Sequence, residues 1–226
     1  MTRAFRLIAL PLALALCAPA AVAKTKHHKT TTTTSTKAAP AATAPAGASD
    51  PIKTVDAFHA ALLDTMKNAK TLGVQGRYNK LAPAVDAAFD FAAMTQAIVG
   101  PDWANMSAAD RKSVIDAFRR TTIAGYARNF DAYNGEQFTT NPQVQDRGGE
   151  KIVSTQMTRP GSSAIPFIYK LDNAHGGWKI DDVYANGFVS QVATKRSEYA
   201  ATLKSGGAAS LAQKLNALAD ANLKGG

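Results

Sequence analysis

The sequence predicts an α+β fold in which a helical layer covers one face of a four-stranded antiparallel meander. Two changes of pattern carry this reading. Apolar residues recur every three to four positions from about residue 50 to 131, and then the period drops towards two from 135 to 184. Four β-rich segments there are separated by Asn141-Pro142, Gly148-Gly149, Pro160-Gly161 and Gly176-Gly177, all turn formers. After Gly187 the helical period returns. Short turns make the strands antiparallel, and helices confined to one face leave the other, half-polar face free for water.

Taken in order, Ser49-Asp50-Pro51 offers a capping residue and then Pro near a first helical turn. Ile52, Val55, Phe58, Leu62, Met66 and Ala69 define one apolar helix face reaching about Lys70, with Gly73 and Gly76 ending it. Residues 78–89 read as a short helix with Pro83 in its first turns. Asp90 caps the next, over 91–99, which Gly100-Pro101 stops. Ser107 and Asp110 make a capping box with Asp in place of Glu. They open the longest helix, 108–131, along one side of which lie Val114, Phe118, Thr121, Thr122, Gly125, Tyr126 and Phe130. Strands are expected at 135–140, 151–158, 165–171 and 178–184, with Ile165, Phe167, Tyr169 and Leu171 on one face. A helix should follow from about Phe188 to Leu203. Gly206-Gly207 breaks the chain before a last amphipathic helix over 210–223.

The N-terminal residues carry an address. Arg3 and Arg6 precede an apolar run at 7–16, and Ala21-Val22-Ala23 supplies the small residues that a signal peptidase needs. A run of about ten residues falls short of the roughly 20 that span a bilayer as a helix. Residues 1–23 are therefore expected to be a cleaved signal peptide, and the domain is expected in the periplasm. An uncleaved anchor and lipidation at Cys17 are the alternatives, the latter opposed by bulky Leu16 just before the cysteine. With Cys17 removed, the mature chain has no thiol chemistry and no disulfide. Residues 24–49 are Lys, Thr, Ala and Pro-rich without Leu, Ile, Phe, Tyr or Trp, the composition of a disordered linker.

The formal net charge of +9 shrinks when this region is set aside. Arg3, Arg6, Lys24, Lys26, Lys29 and Lys37 account for six of those charges, so residues 50–226 carry +3. No basic stripe interleaved with aromatics remains, which argues against nucleic acid. The expected organisation is a domain over 50–205 followed by a C-terminal helix and tail over 206–226.

Motifs of covalent chemistry are missing: no nucleophile elbow, P-loop, dinucleotide fingerprint or zinc-protease helix occurs. His59 lies beside the first helix stripe, and His175 sits in a hairpin turn; neither has metal-ligand spacing. Asp181-Asp182 is the best acid pair, yet neighbours in a strand point to opposite faces. Asp182 is expected to point with Trp178, Ile180 and Tyr184. It would serve there as a general base in an apolar pocket, or as a cap or ion-pair partner.

Two stretches are more specific. One is Phe89-Asp90-Phe91-Ala92-Ala93-Met94-Thr95-Gln96-Ala97-Ile98-Val99-Gly100 followed by Trp103. The other is Gly177-Trp178-Lys179-Ile180-Asp181-Asp182-Val183 followed by Gly187, Arg196 and Tyr199. Together they resemble the MlaC-like, or toluene-tolerance, family of periplasmic lipid-binding proteins. Residues 76–83 look more like its hopanoid-associated HpnM branch. The resemblance covers about 51–203, and Phe188 after Gly187 departs from the β-branched residue common there. It implies a curved sheet whose helical layer encloses an apolar pocket for lipid tails. It also implies a carrier of phospholipid, or of a hopanoid-type lipid, between an outer-membrane complex and an inner-membrane ABC-transporter complex. Such a carrier works as a monomer that touches membrane surfaces transiently, without cofactor, metal or catalytic residue.

Burying one CH₂ is worth about 0.8 kcal/mol, so a 16-carbon tail needs roughly 12 kcal/mol of shelter. An enclosed pocket supplies that and a shallow groove does not. The candidate lining is Ile98, Val99, Trp103, Phe118, Tyr126, Phe130, Phe167, Tyr169, Val183, Tyr184 and Phe188, each of which also suits a plain core. Two rival readings stand beside the carrier: a small hydrolase or isomerase using Asp182, and an envelope adaptor that docks proteins without binding lipid.

Overall fold

The computed structural model describes residues 50–173 and 176–224. The expected signal peptide, linker and His175 turn lie outside these residues. The helices are α1 (Pro51–Lys67), α2 (Ala69–Ala88), α3 (Phe91–Val99), α4 (Ala108–Asn129) and α5 (Gln191–Leu223), with a 3₁₀ turn at Gly100–Asn105. The strands are β1 (Gln137–Thr140), β2 (Gln145–Arg147), β3 (Glu150–Thr158), β4 (Ile165–Asp172), β5 (Lys179–Ala185) and β6 (Val189–Ser190).

The α+β class and the antiparallel pairing hold, but the sheet has six strands rather than four. Its order is β1-β3-β4-β5-β6, with β2 also paired to β3. The two additions are short. Strand β2 is the return arm of the Gly148-Gly149 turn, pairing Gln145 with Ile152. Strand β6 forms because Asn186 and Gly187 take left-handed conformations (φ 53° and 80°), folding Val189 back against Ala185. Two or three residues without apolar alternation leave no period for a sequence pattern to register.

Caps fix the helix starts as their residues suggest. Asp50 accepts from the Ile52 amide at 2.9 Å, and Asp90 from the Ala93 amide at 2.8 Å. Ser107 Oγ accepts from the Asp110 amide at 3.1 Å, the N-cap half of a capping box, and donates to the Asp110 carboxylate at 2.7 Å. Between α1 and α2 the expected boundary moves. Asn68, not Gly73, ends α1, its side-chain amide donating to the Asp64 carbonyl at 2.8 Å. Gly73 is a kink inside α2 with φ 59°, and Gly76 and Pro83 both lie within that helix. Gly207, with φ 63°, kinks α5 in the same way, close to the expected break.

All the helices that approach the sheet lie on one side of it. Helix α1 contacts β1, β3 and β5, while α2, α3 and α5 contact β5. Helix α4 packs chiefly on α5 and then α2, without extensive contact to any strand. The second half of α5 belongs to this core: Leu211, Leu215 and Ala219 are buried, and the Thr121 hydroxyl donates to the Leu215 carbonyl. Buried Arg77 ties the layer together, donating to the Ala127 carbonyl at 2.6 Å in the last turn of α4 and to the Ala69 carbonyl at 3.0 Å. Those carbonyls would otherwise lack partners in apolar surroundings.

Candidate functional site

The inner, helix-facing side of the sheet follows from the register. Lys151 pairs with Leu171, Val153 with Tyr169, Thr155 with Phe167 and Met157 with Ile165. Ile165, Phe167, Tyr169 and Leu171 therefore share one face, with Val153, Thr155 and Met157 beside them. Strand β5 joins through a bulge: Leu171 pairs with Ile180 but Lys170 with Asp182, leaving Asp181 as the extra residue. The bulge changes the expected grouping. Ile180, Val183 and Ala185 belong to the inner side, whereas Asp182 and Tyr184 pair with Lys170 and Ile168 on the outer one.

The inner side is not covered evenly. At one end Val153, Leu171 and Ile180 have no exposed surface, and Phe89 meets Ile180 through a backbone bridge. At the other end Ile165, Phe167, Val183 and Ala185 are only half-buried, although Met157 among them is buried. Phe138 on β1 is also half-buried. Between the two ends an aromatic cluster crosses from helices to sheet. Phe58 meets the rings of Phe89, Tyr126 and Tyr169 edge-on, at 5.1, 5.3 and 6.5 Å. Tyr126 continues to Phe130 at 5.9 Å, and Phe89 to Phe91 and then Phe118 at 5.9 and 6.0 Å. Tyr126 lies within this cluster, where burial pushes its phenol up, yet its side chain is only half-buried.

The candidate residues divide accordingly. Phe118, Tyr126, Phe130 and Tyr169 come together in the aromatic cluster, with Phe167 and Val183 beside it on the inner side of the sheet. Ile98 and Val99 are buried at the end of α3, and α3 packs on α5. Trp103 is half-buried at the edge, the Arg111 guanidinium 5.3 Å above its ring. Tyr184 stands on the outer side, and Phe188 is 77 % exposed, because β6 and its turn replace the expected first turn of the helix. Phe58, Phe89, Phe91, Phe138 and His59 were not among the candidates, yet they stand beside them. For His59 the signal in the sequence is its place beside the stripe that holds Val55, Leu62 and Met66.

His59 is buried, with Nε2 2.8 Å from the Tyr169 hydroxyl and its ring stacked on Phe138 at 4.0 Å. Burial lowers its imidazole to about 3, so the ring is neutral at any ordinary pH. Burial likewise pushes the Tyr169 phenol up.

Asp182 is fully engaged at the start of α5. One carboxylate oxygen accepts from the Val183 amide at 2.7 Å and the Val192 amide at 3.1 Å, and the other from the Ser190 hydroxyl at 2.6 Å. That is a helix-capping geometry, with the negative charge at the positive end of the helix dipole. Asp181 instead bonds Lys170 Nζ at 2.6 Å, and Glu150 holds the same ammonium at 2.6 Å. Asp182 does not stand free to act as a base, whereas the second oxygen of Asp181 is buried without a partner and burial raises its carboxyl despite the Lys170 ammonium. On the outer side of the sheet a depression of about 400 Å³ is lined by Thr139, Asn141, Ser154, Thr155, Gln156, Pro166, Phe167 and Ile168. Its exposed lining is more apolar than polar, but it is an open depression rather than an enclosed chamber.

The fold is thus a helical layer on one face of an antiparallel sheet, with one end of the apolar inner side only half-buried. Residues 56–217 match the MlaC protein family, and the chain belongs to it. The toluene tolerance protein ttg2D of Pseudomonas putida is 30% identical over 70 residues, 31% of this chain and 33% of that protein. The match thus spans about a third of that relative's length. Among solved structures, a phospholipid-binding protein from Ralstonia solanacearum, in complex with a phospholipid, has the same fold. It aligns with a TM-score of 0.67 at 19% identity, covering 77% of this chain and 99% of its own. The family match extends to residue 217, into the segment of α5 that follows Gly207.

Proposed function

We propose that this chain is a periplasmic carrier of phospholipid with no covalent chemistry. The observation that carries the reading is the half-buried inner end of the sheet at Ile165, Phe167 and Val183, beside an aromatic cluster that α4 reaches through Tyr126. Accessible surface on Tyr126, inside the aromatic cluster, is what an internal space between α4 and the sheet would produce. Two apolar tails gain about 0.8 kcal/mol per CH₂ there, and the outer depression offers no comparable shelter. Membership in the MlaC family and the phospholipid held by the Ralstonia relative support this choice of cargo.

Residues 1–23 direct export, and 24–49 are a spacer. The loaded monomer carries lipid between an outer-membrane complex and an inner-membrane ABC-transporter complex, touching membranes only briefly. A hopanoid-type lipid is the alternative cargo, suggested by residues 76–83. The lining on this reading is Tyr126, Phe130, Phe167, Tyr169 and Val183, with Ile98, Val99 and Phe118 supporting it. Organic extraction and native mass spectrometry of the purified protein test it: one lipid per chain is expected. Protein that purifies empty and takes up no phospholipid from vesicles would point to the adaptor instead. Turnover abolished by Asp182→Asn in a well-folded variant would favour the enzyme.

A further inference from the structure

The aromatic cluster contains a polar corner that shelter for tails does not require. His59 of α1, Tyr169 of β4, Thr155 of β3 and Tyr126 of α4 converge around Phe58. His59 is 3 % exposed, and Tyr169 equally so. The Tyr169 hydroxyl lies 2.8 Å from His59 Nε2, and the Thr155 side chain and the Tyr126 phenol are near enough to act on it electrostatically. His59 Nδ1 is buried and has no hydrogen-bond partner. A buried ring nitrogen without a partner is costly, and here it points to a polar atom of a ligand.

The chemistry of the corner limits that occupant. None of the four side chains is charged, since burial holds the imidazole neutral and the phenols protonated. Such a set cannot compensate the desolvation of a phosphate or an ammonium group. It can exchange hydrogen bonds with an uncharged oxygen, because a neutral imidazole offers a donor or an acceptor according to its tautomer.

We propose that His59, Tyr169 and Tyr126 form an oxygen-reading subsite within the lipid chamber, which takes an uncharged oxygen of the cargo. The oxygen is either the ester carbonyl at the head of an acyl tail or a hydroxyl along it. The subsite rests on the carrier reading, and it makes the protein selective among lipids of equal length rather than a holder of any tail.

The test is a competition read by native mass spectrometry. The purified chain is offered an equimolar mixture of three phosphatidylglycerols of matched chain length: a diester, its diether analogue, and a diether bearing one mid-chain hydroxyl. Wild type is expected to favour one oxygen-bearing probe over the plain diether by about three- to tenfold, the yield of one net hydrogen bond. A preference for the diester identifies the carbonyl, and one for the hydroxylated diether identifies the hydroxyl. His59→Phe, which keeps a ring against Phe138, and Tyr169→Phe, which removes one oxygen, should each bring the ratio close to one. Equal uptake of all three by wild type, or an unchanged ratio in folded variants, overturns the subsite while leaving the carrier standing. Uptake of none overturns both.

Discussion

The two ends of the inner side of the sheet are built from the same strands and differ in what covers them. At the Leu171–Ile180 end the last turn of α2 and the start of α3 close onto β5, through the Phe89 bridge and the Asp90 amide, which donates to the Ile180 carbonyl at 2.8 Å. At the Ile165–Phe167–Val183 end the side chains are equally apolar but only half-buried. Pattern alone makes both ends core. The difference comes from helix placement: α1 lies on the sheet, whereas α4 stands off it and leans on α5. On the proposed reading, the half-buried end is where lipid tails complete the packing that α4 does not supply.

Substitutions should separate the two ends, and the largest effect is expected at the closed one. Leu171→Ala or Ile180→Ala leaves a void among well-packed neighbours and should cost about 2–5 kcal/mol in denaturant unfolding. Val183→Ala should cost clearly less, with most of its effect on lipid retention; an equal loss at Val183 would mean that the open end is ordinary core. Asp182→Ala leaves the Ser190 hydroxyl and the Val192 amide short of an acceptor at the start of α5, whose N-cap is Ser190. A loss of about 1–3 kcal/mol follows, with lipid binding retained at temperatures where the variant is folded.

The histidine between the two ends adds a pH dependence whose sign is set by burial. Its folded value of about 3 lies below the ordinary 6.5, so only the unfolded chain takes up this proton as pH falls from about 6.5 towards 3. Stability from this group is complete above that window and declines within it, by about 1 kcal/mol per pH unit between pH 6 and 5. Denaturation of His59→Phe beside wild type should show that slope removed; identical slopes would mean that the ring is protonated in the fold. The smallest effect is expected at the surface. Phe188→Ser should change stability by less than about 0.5 kcal/mol, because the side chain is 77 % exposed. A larger loss in the same unfolding curve would place Phe188 in the core.

Much of this was legible in the residues. The capping pairs Asp50, Asp90 and Ser107 with Asp110 mark their helices, and the alternation of Ile165, Phe167, Tyr169 and Leu171 marks the inner side of β4. What escaped depends on single-residue offsets and on tertiary distance. The bulge at Asp181 moves Asp182 away from Ile180 and gives it to Ser190 and Val192 at the start of α5, and no period of two can register one extra residue. Strand β6 is set by a left-handed Asn186-Gly187 turn, which took Phe188 out of the helix and into solvent. Phe118, Tyr126 and Phe130 fall on one helix face in sequence. That Tyr126 keeps accessible surface while Phe118 and Phe130 are buried is set by tertiary packing around α4, which no local pattern encodes.

The claim that tails occupy the space between α4 and the open end can be tested by photo-crosslinking. A phospholipid with a diazirine near the end of one tail is loaded, irradiated, and mapped by peptide sequencing. Labels on Phe167, Val183 and Tyr126, with none on Leu171 or Ile180, are the expected result. Labels confined to the outer side, at Gln156, Pro166 or Tyr184, would contradict the account.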